Sequence, residues 1–243
     1  MENIKINIQK IEERIQNACL KSGRKRNEIK LLLAVKTVEP DRIKKAFSAG
    51  YTLIAENKIQ EVKEKFDALK EYQHTSHFIG HLQTNKVKEL LKYDIQCLES
   101  VDRLKLAEKL QRRLEYENKT IDILIQVNTS FEESKFGVAP EKAVDLVREV
   151  AKLDRIRIKG LMTIGLFSSE NEKVRRCFKM LKEIQLKIID EKIPNVEMNE
   201  LSMGMSGDLE TAIEEGATIV RVGTAVFGER PYPDSYYWNE GKY

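Results

Sequence analysis

The chain has 243 residues, of which 41% are hydrophobic and 33% are charged. This composition provides enough apolar residues for a folded core and too many charges for an integral membrane protein. Lysine and arginine outnumber aspartate and glutamate by 42 to 39, and a net charge of +3 lacks the basic excess that is typical of a dedicated nucleic-acid-binding protein. The longest apolar run, LLLAV at residues 31–35, is far too short to cross a bilayer.

Cysteine usage and the N-terminal segment both favour a cytoplasmic protein. Cys19, Cys97 and Cys177 are too widely spaced to predict a disulfide framework or a metal cluster. Sparse cysteines are typical of a reducing compartment. The first residues, MENIKINIQKIEERIQ, alternate charged and apolar positions, whereas a signal peptide needs an uninterrupted apolar stretch. We therefore expect no targeting segment and no membrane anchor.

The first predicted element is an N-terminal helix from Ile4 to about Lys21, in which apolar residues recur every three or four positions. From Lys30 onward, short apolar runs alternate with longer amphipathic stretches. Eight runs predict strands that begin near residues 31, 52, 76, 95, 122, 158, 198 and 219. Seven stretches between them predict helices over about 41–50, 58–70, 84–92, 102–118, 140–153, 171–190 and 207–216.

This strict alternation predicts a parallel sheet, and eight strands within about 250 residues predict its closure into a (β/α)₈ TIM barrel. Seven helices separate the eight strands, and the segment after Gly228, ERPYPDSYYWNEGKY, does not have a helical pattern. We therefore expect the extra N-terminal helix to occupy the vacant eighth position of the outer ring. No linker rich in glycine, serine or proline divides the chain, so residues 1–243 are expected to form a single domain.

Polar residues follow several of the predicted strands, where barrels of this kind build their active sites. Lys36 directly follows the first apolar run, so its amine either enters the barrel mouth or reaches solvent. An amine in a partly apolar mouth is a nucleophile for a carbonyl group. Because most lysines at strand ends simply reach water, this residue alone does not establish a Schiff-base site.

The strongest local motif follows the seventh predicted strand, where residues 202–208 read SMGMSGD before a predicted helix. Its glycines allow the backbone to approach an anion, and N–H groups at a helix start around Ser206 and Gly207 would donate to it. The eighth strand leads into RVGT at residues 221–224, again a glycine with a hydroxyl. Loops after strands seven and eight commonly form phosphate sites in barrels, so the two motifs predict one such site. The alternative is a helix N-cap at Ser206 and an unrelated turn at Gly223.

Three histidines, His74, His77 and His81, lie within HTSHFIGHLQTNK, but a strand is predicted there, and its side chains would diverge. No acidic residue or cysteine nearby completes a ligand set, so we expect no metal site, with His77 in the core and His81 at the barrel mouth. The sequence also lacks a Walker loop, a G-x-S-x-G elbow and a dinucleotide-binding glycine fingerprint. These absences exclude P-loop NTPases, α/β-hydrolases and Rossmann dehydrogenases.

Six segments, in order, resemble the pyridoxal phosphate homeostasis protein family, whose members are single-domain barrels similar to the N-terminal domain of alanine racemase. The segments are LLLAVKTVEP, AENKIQE, HFIGHLQTNK, ESVDR, GLMTIG and ELSMGMSGDLETAIEEGATIVRVGTAVFGER. The resemblance covers essentially the whole chain, although Ala55 stands where the family often has glycine. It implies that the cofactor is pyridoxal 5′-phosphate (PLP) and that Lys36 binds it as an internal aldimine.

The same resemblance implies roles for further residues of this chain. Asn57 and Met205 line the ligand pocket, Arg221 faces the pyridine nitrogen, and the phosphate is surrounded by Ser206, Gly207, Gly223 and Thr224. An arginine keeps the ring nitrogen unprotonated, so the ring withdraws electrons less well than in enzymes that place a carboxylate there. The block ESKFG around Lys135 also matches the family, without an assigned role.

The resemblance implies a protein of intracellular PLP homeostasis that holds PLP and supplies it to PLP-dependent apo-enzymes, with no catalytic residues and no turnover chemistry. Related racemases use a second acid/base group from an additional domain. About twenty residues follow the last predicted strand here, which we expect to be too few for such a domain. One alternative is a PLP-dependent amino-acid racemase or lyase. Another is a Schiff-base aldolase that uses Lys36 on a sugar phosphate without a cofactor. We expect a cytoplasmic monomer with no nucleic-acid or membrane partner.

Overall fold

Eight parallel strands close into one barrel in the computed structural model, which describes residues 4–168 and 170–229. The strands are β1 (Lys30–Ala34), β2 (Leu53–Glu56), β3 (Thr75–Phe78), β4 (Cys97–Val101), β5 (Ile121–Gln126), β6 (Ile156–Met162), β7 (Val196–Ser202) and β8 (Ile219–Val222). Each strand pairs with its neighbours along the chain, and β1 pairs with β8 to close the barrel. All eight predicted strands are present, so the predicted (β/α)₈ barrel is confirmed.

Helices surround the barrel. They are α1 (Ile4–Ser22), α2 (Pro40–Ser48), α3 (Ile59–Leu69), α4 (Val87–Leu90), α5 (Leu104–Glu117), α6 (Ala143–Val150), α7 (Asn171–Asp190), α8 (Leu209–Glu214) and α9 (Thr224–Phe227). Helices α2 to α8 connect successive strands, as predicted. The helices predicted over 84–92 and 140–153 begin as 3₁₀ turns at Thr84–Lys86 and Pro140–Lys142, which shortens α4 and α6. The short α9 was not predicted, and residues 230–243, for which no helix was predicted, lie outside the described residues.

The N-terminal helix fills the position that the connecting helices leave open in the outer ring. Its stripe of Ile4, Ile8, Ile11 and Ile15 is at most 3% exposed, because spacings of three and four residues place these side chains on one face. This helix packs against α2, α8 and α9. Burying each large aliphatic side chain stabilises the fold by about 1.5–3 kcal/mol. The predicted position of the extra helix is therefore confirmed.

Alternation along the strands decides which side chains enter the barrel. Leu124 of β5 and Ile219 of β8 belong to a small apolar cluster inside it, while a larger cluster fills the space between strands and helices. Two residues further along, Gln126 and Arg221 face the same way, because side chains on a strand repeat with a period of two. The sequence pattern predicts Arg221 just after the eighth strand, whereas β8 extends to Val222. Arg221 is therefore part of a strand and not of a loop, and its side chain lies inside the barrel near the C-terminal end of the strands.

Two general properties follow from the described part of the chain. None of its helices is both long enough and apolar enough to cross a bilayer. Cys19, Cys97 and Cys177 are buried thiols that form no disulfide, and no cluster of three or more metal-ligating side chains occurs within residues 4–168 and 170–229.

Candidate functional site

The C-terminal ends of the strands surround a pocket of about 310 Å³, a volume that suits a small organic ligand. All eight residues predicted for the ligand site line it: Lys36, Asn57, Met205, Ser206, Gly207, Arg221, Gly223 and Thr224. A larger cleft of about 460 Å³ lies beside α3 and the segments that enter β3 and β4, and it contains none of the eight. The pocket at the strand ends is therefore the candidate functional site.

The loops after β1 and β2 bring Lys36 and Asn57 to one side of this pocket. Each side chain lies within two residues of its strand end and is partly buried. Gly80, after β3, also lines the pocket. A Cβ atom at Gly80 would lie 1.9 Å from the carbonyl oxygen of Asn57, so only glycine permits this close approach of the two loops.

The loops after β7 and β8 meet on another side of the pocket. The hydroxyl oxygens of Ser206 and Thr224 lie 3.4 Å apart. Gly223, in the loop after β8, packs closely against β1, because a Cβ atom there would lie 2.9 Å from the carbonyl oxygen of Ala34. The two loops that the sequence analysis combined into one site thus converge.

The helix after β7 begins later than predicted. Helix α8 starts at Leu209 and not near residue 207, so Ser206 and Gly207 lie in the preceding turn. The physical reason is Asp208, whose Oδ1 accepts a hydrogen bond from the N–H of Met205 at 2.5 Å and stabilises a turn before the helix. The predicted helix start is therefore wrong by two residues. The carboxylate of Asp208, which would repel a phosphate, does not line the pocket.

Helix α1 contacts the same turn through Arg14. The Nη1 atom of Arg14 donates to the carbonyl oxygen of Ser206 at 2.9 Å, and its Nε donates to the Glu210 carboxylate at 2.6 Å. Arg14 therefore links α1, α8 and the turn that carries the predicted phosphate-binding hydroxyl. No sequence motif predicts this contact, because an arginine in an amphipathic helix gives no local sign of a partner 192 residues away.

Arg221 enters the pocket from the barrel interior and is only 5% exposed. Its Nη1 donates to Ser202 Oγ at 2.8 Å, and its Nη2 donates to the carbonyl oxygen of Thr163 at 2.7 Å. The Ser202 hydroxyl in turn donates to Glu99 Oε2 at 2.6 Å. Burial lowers the pKa of Arg221, and the negative charges of Glu99 and Asp208 act against this effect. The guanidinium is thus held in one orientation by Ser202 of β7 and by the backbone directly after β6, and Ser202 connects it to Glu99 of β4.

Glu99 is a fully buried carboxylate in the middle of β4. Its Oε1 lies 2.6 Å from Nδ1 of His77, which the sequence analysis expected in the core. Burial acts to raise the pKa of Glu99, but His77, Arg221 and Ser202 together outweigh it and hold this pKa below its usual value. Ionised Glu99 compensates the buried charge of Arg221. Glu99 is not among the site residues predicted from the sequence, although a carboxylate within QCLESV is unusual for a buried strand and is a signal that could have identified it.

The segment between β5 and α6 contributes a second amine to the pocket. The Nζ atom of Lys135 donates to the carbonyl oxygen of Gly165 at 2.7 Å and forms an ion pair with Glu132. It also lies 4.8 Å from the ring centroid of Phe167. Lys135, which had no role in the sequence analysis, therefore lines the pocket with its ammonium group held by these contacts.

Aromatic side chains form part of the pocket rim. The rings of His81 and Phe136 stack with their centroids 3.7 Å apart, and both residues line the pocket. Gln126, at the end of β5, donates from Nε2 to the carbonyl oxygen of Phe136 at 3.0 Å and anchors this segment. The predicted position of His81 at the barrel mouth agrees with this arrangement.

The described side chains that line the pocket include cations and no carboxylate. Lys36, Lys135 and Arg221 are among these lining residues, while Glu132 and Glu99 lie behind Lys135 and Arg221. Such a pocket suits an anionic ligand. The hydroxyls of Ser206 and Thr224 can donate to a phosphate, and the amine of Lys36 can react with a carbonyl group.

Comparison with known proteins reveals close relatives along nearly the whole chain. Residues 3–231 match a family model described as alanine racemase, N-terminal domain. The chain is 44% identical over 225 residues to the pyridoxal phosphate homeostasis protein of Aquifex aeolicus (strain VF5), which covers 93% of this chain and 97% of that protein. It is 36% identical over 235 residues to the protein of the same name from Escherichia coli (strain K12), covering 96% and 99% of the two chains.

Solved structures with the same fold include two informative examples. PipY of Synechococcus elongatus PCC7942, in a structure described as having PLP bound, has a TM-score of 0.78 at 29% identity, over 90% of this chain and 100% of that chain. An alanine racemase of Clostridium difficile 630 has a TM-score of 0.72 at 16% identity, over 96% of this chain and 57% of that chain. The alanine racemase shows the shared fold alone.

Proposed function

Because the chain belongs to the pyridoxal phosphate homeostasis protein family, which has the alanine racemase N-terminal domain fold, we propose that it binds PLP and takes part in intracellular PLP homeostasis. It holds PLP on Lys36 and supplies the cofactor to PLP-dependent apo-enzymes. The observation that carries this proposal is the single pocket in which the eight implied residues, from four strand ends, come together. The PLP described for PipY supports the identity of the ligand.

The residues of the pocket fit the groups of PLP. When bound, PLP supplies an aldehyde that condenses with an amine, which forms a C=N bond and releases water. Lys36 supplies this amine, and the hydroxyls of Ser206 and Thr224 donate to the phosphate. Gly207 has no neighbouring atom within 4 Å of an added Cβ position, so its backbone is open to the ligand. Gly223 brings the second loop close to the same group.

Arg221 faces the pyridine nitrogen in this proposal, and its fixed positive charge disfavours a proton on that nitrogen. The ring is then a weaker electron sink than one beside a carboxylate, and no described residue of the pocket lining is a carboxylate. The site therefore favours holding PLP over performing PLP chemistry, which supports a carrier without turnover. A PLP-dependent racemase or lyase is the competing function.

We place this carrier in the cytoplasm, in agreement with its three buried thiols. We propose that it acts as a single-domain monomer, in which Lys36, Ser206, Thr224 and Arg221 of one chain hold PLP. Its partners are PLP and the apo-enzymes that receive it.

The experiment that tests the function combines a turnover assay with a transfer assay. The PLP-loaded protein is incubated with a panel of amino acids and the products are examined by chiral analysis, while a parallel sample is mixed with a PLP-dependent apo-enzyme. We expect no appreciable racemisation, decarboxylation or transamination, together with recovery of the apo-enzyme's activity. Rapid multiple turnover of one amino acid would favour the racemase or lyase, and failure to take up PLP would exclude both functions.

Removal of either pocket hydroxyl is expected to weaken PLP binding through the phosphate. Ser206→Ala and Thr224→Ala should each lower PLP affinity by about 1–3 kcal/mol, the range for a lost hydrogen bond to a charged group. Equilibrium titration with PLP and with pyridoxal, which lacks the phosphate, measures the effect. Pyridoxal should bind wild type and variants alike, and Ser134→Ala, which removes another pocket hydroxyl, is the matched control. Equal losses for both ligands would mean that these hydroxyls act through the fold.

A further inference from the structure

A buried lysine on α3 contacts the loop that carries Lys36. Lys65 is only 8% exposed, and its Nζ donates to the carbonyl oxygen of Val35 at 2.8 Å. The same Nζ donates to Glu56 Oε1 at 2.6 Å and to Glu61 Oε2 at 2.8 Å. An ammonium group has three N–H donors, so each donor of this buried lysine has an acceptor.

A second contact lies on the other side of Lys36. The N–H of Thr37 donates to Glu61 Oε2 at 2.6 Å. Side chains of α3 therefore bind the peptide groups immediately before and after Lys36, at Val35 and Thr37. Neither Lys65 nor Glu61 lines the proposed PLP pocket, so these contacts act on the loop and not on a ligand.

The loop backbone requires support at Thr37. This residue has a φ of 61°, in the left-handed region that a β-branched side chain rarely adopts. Such strain persists where surrounding contacts hold the residue in place. The bond from the Thr37 N–H to Glu61 is one such contact, and the N–H of Val38, which donates to the Val35 carbonyl at 3.0 Å, closes the turn.

The two carboxyl groups that accept hydrogen bonds from Lys65 differ in acidity. Burial raises the pKa of Glu56 to about 8 in spite of the nearby charge of Lys65. Burial acts in the same direction on Glu61, but Lys65 and the Thr37 N–H outweigh it and hold the pKa of Glu61 below its usual value. The carboxyl group that accepts from the Thr37 N–H is therefore the more acidic of the two. Paired charges of this kind are retained in a buried position at a lower cost than a single charge.

We propose that Lys65 and Glu61 are positioning residues for Lys36: they fix the backbone on both sides of it, so that its amine meets the PLP aldehyde. This inference rests on the proposed function, because it concerns the same lysine. A misplacement of about 1 Å can slow a reaction roughly a hundredfold. A loosened loop is therefore expected to slow Schiff-base formation while phosphate recognition, on the loops after β7 and β8, is retained.

The test compares Lys65→Met, which keeps the apolar stem and removes the donors, with wild type and with Lys63→Met. Lys63 is an exposed lysine of the same helix and serves as the matched control. Stopped-flow absorption measures the rate of Schiff-base formation with PLP. Titration with pyridoxine 5′-phosphate, which has the phosphate but no aldehyde, measures the integrity of the pocket. We expect Lys65→Met to react about 10- to 100-fold more slowly, with unchanged affinity for pyridoxine 5′-phosphate and no effect of Lys63→Met.

Two results would overturn the inference: an unchanged rate in Lys65→Met, or equal losses for PLP and pyridoxine 5′-phosphate, which would assign Lys65 to folding alone.

If Lys65→Met does not fold, Glu61→Ala takes its place with the same expected loss of rate. Adding Thr37→Gly to Glu61→Ala should then recover the rate in part, because glycine adopts a positive φ without strain, and no recovery would contradict the proposed support. If the wild-type protein forms no Schiff base with PLP, the proposed function itself is contradicted. This result differs from slow Schiff-base formation that is found in the variants alone.

Discussion

Replacing Lys36 with alanine is expected to abolish the covalent attachment of PLP. A Schiff base needs an amine within reach of the aldehyde, and Lys36, in the loop after β1, is the lysine that we propose for it. The visible absorption band of the PLP-loaded protein should therefore disappear in Lys36→Ala, and borohydride should no longer fix PLP to the chain. Absorption spectra before and after borohydride, followed by peptide mapping, measure both effects. The urea unfolding midpoint of the variant should remain near that of wild type.

The second amine of the pocket provides the control for this prediction. Lys135 lines the same pocket, but its ammonium is held by the Gly165 carbonyl and by Glu132. We expect Lys135→Ala to retain PLP on Lys36. A borohydride-fixed adduct that maps to Lys135 in the wild-type protein would contradict the assignment of Lys36. A colourless wild-type protein that nevertheless cleaves a sugar phosphate would favour the cofactor-free aldolase.

Removing the charge of Arg221 is expected to destabilise the protein, even without PLP. The Arg221→Met variant removes the guanidinium that compensates the buried Glu99 carboxylate, so that His77 and Ser202 alone remain to favour its ionised form. Removing one partner of a buried ion pair in direct contact costs about 3–5 kcal/mol, and we expect a smaller loss here because Ser202 lies between Glu99 and Arg221. Urea unfolding of the PLP-free protein should therefore show a midpoint at clearly lower urea concentration than wild type.

A second substitution separates the effect of charge from the effect of packing. Glu99→Gln keeps the size of the side chain and removes the charge that Arg221→Met leaves uncompensated. The double variant Arg221→Met/Glu99→Gln is expected to lose less free energy of unfolding than the two single variants lose together, because the two residues are coupled through Ser202. Losses that simply add would show that Glu99 and Arg221 do not compensate each other.

The same double variant tests the proposed contact of Arg221 with the pyridine nitrogen. Without the guanidinium, that nitrogen gains proton affinity and the ring becomes a better electron sink. The PLP-loaded double variant should therefore show more slow transamination of added amino acids than wild type. Equal rates in a well-folded, PLP-loaded variant would remove Arg221 from this role.

The type and order of the strands and connecting helices could be predicted from local patterns. Apolar periodicity indicates which face of each element is buried, and every strand and helix of the barrel must bury one face. The family motifs added the residues of the pocket, and the structure brings Lys36, Asn57, Ser206 and Thr224 together at neighbouring strand ends. The predicted membership of the family is confirmed by relatives that match nearly the full chain.

Contacts between distant segments could not be predicted in this way. Glu99 compensates the charge of Arg221 across the barrel interior, because closure of the barrel brings β4, β7 and β8 together. Lys65 binds the backbone beside Lys36, because the closed barrel places α3 against the loop after β1. Helix α8 begins two residues later than predicted, because the side chain of Asp208 accepts a hydrogen bond from the backbone before the helix. Local periodicity specifies which face of an element is buried, whereas the partner of a buried charge depends on which elements meet once the barrel has closed.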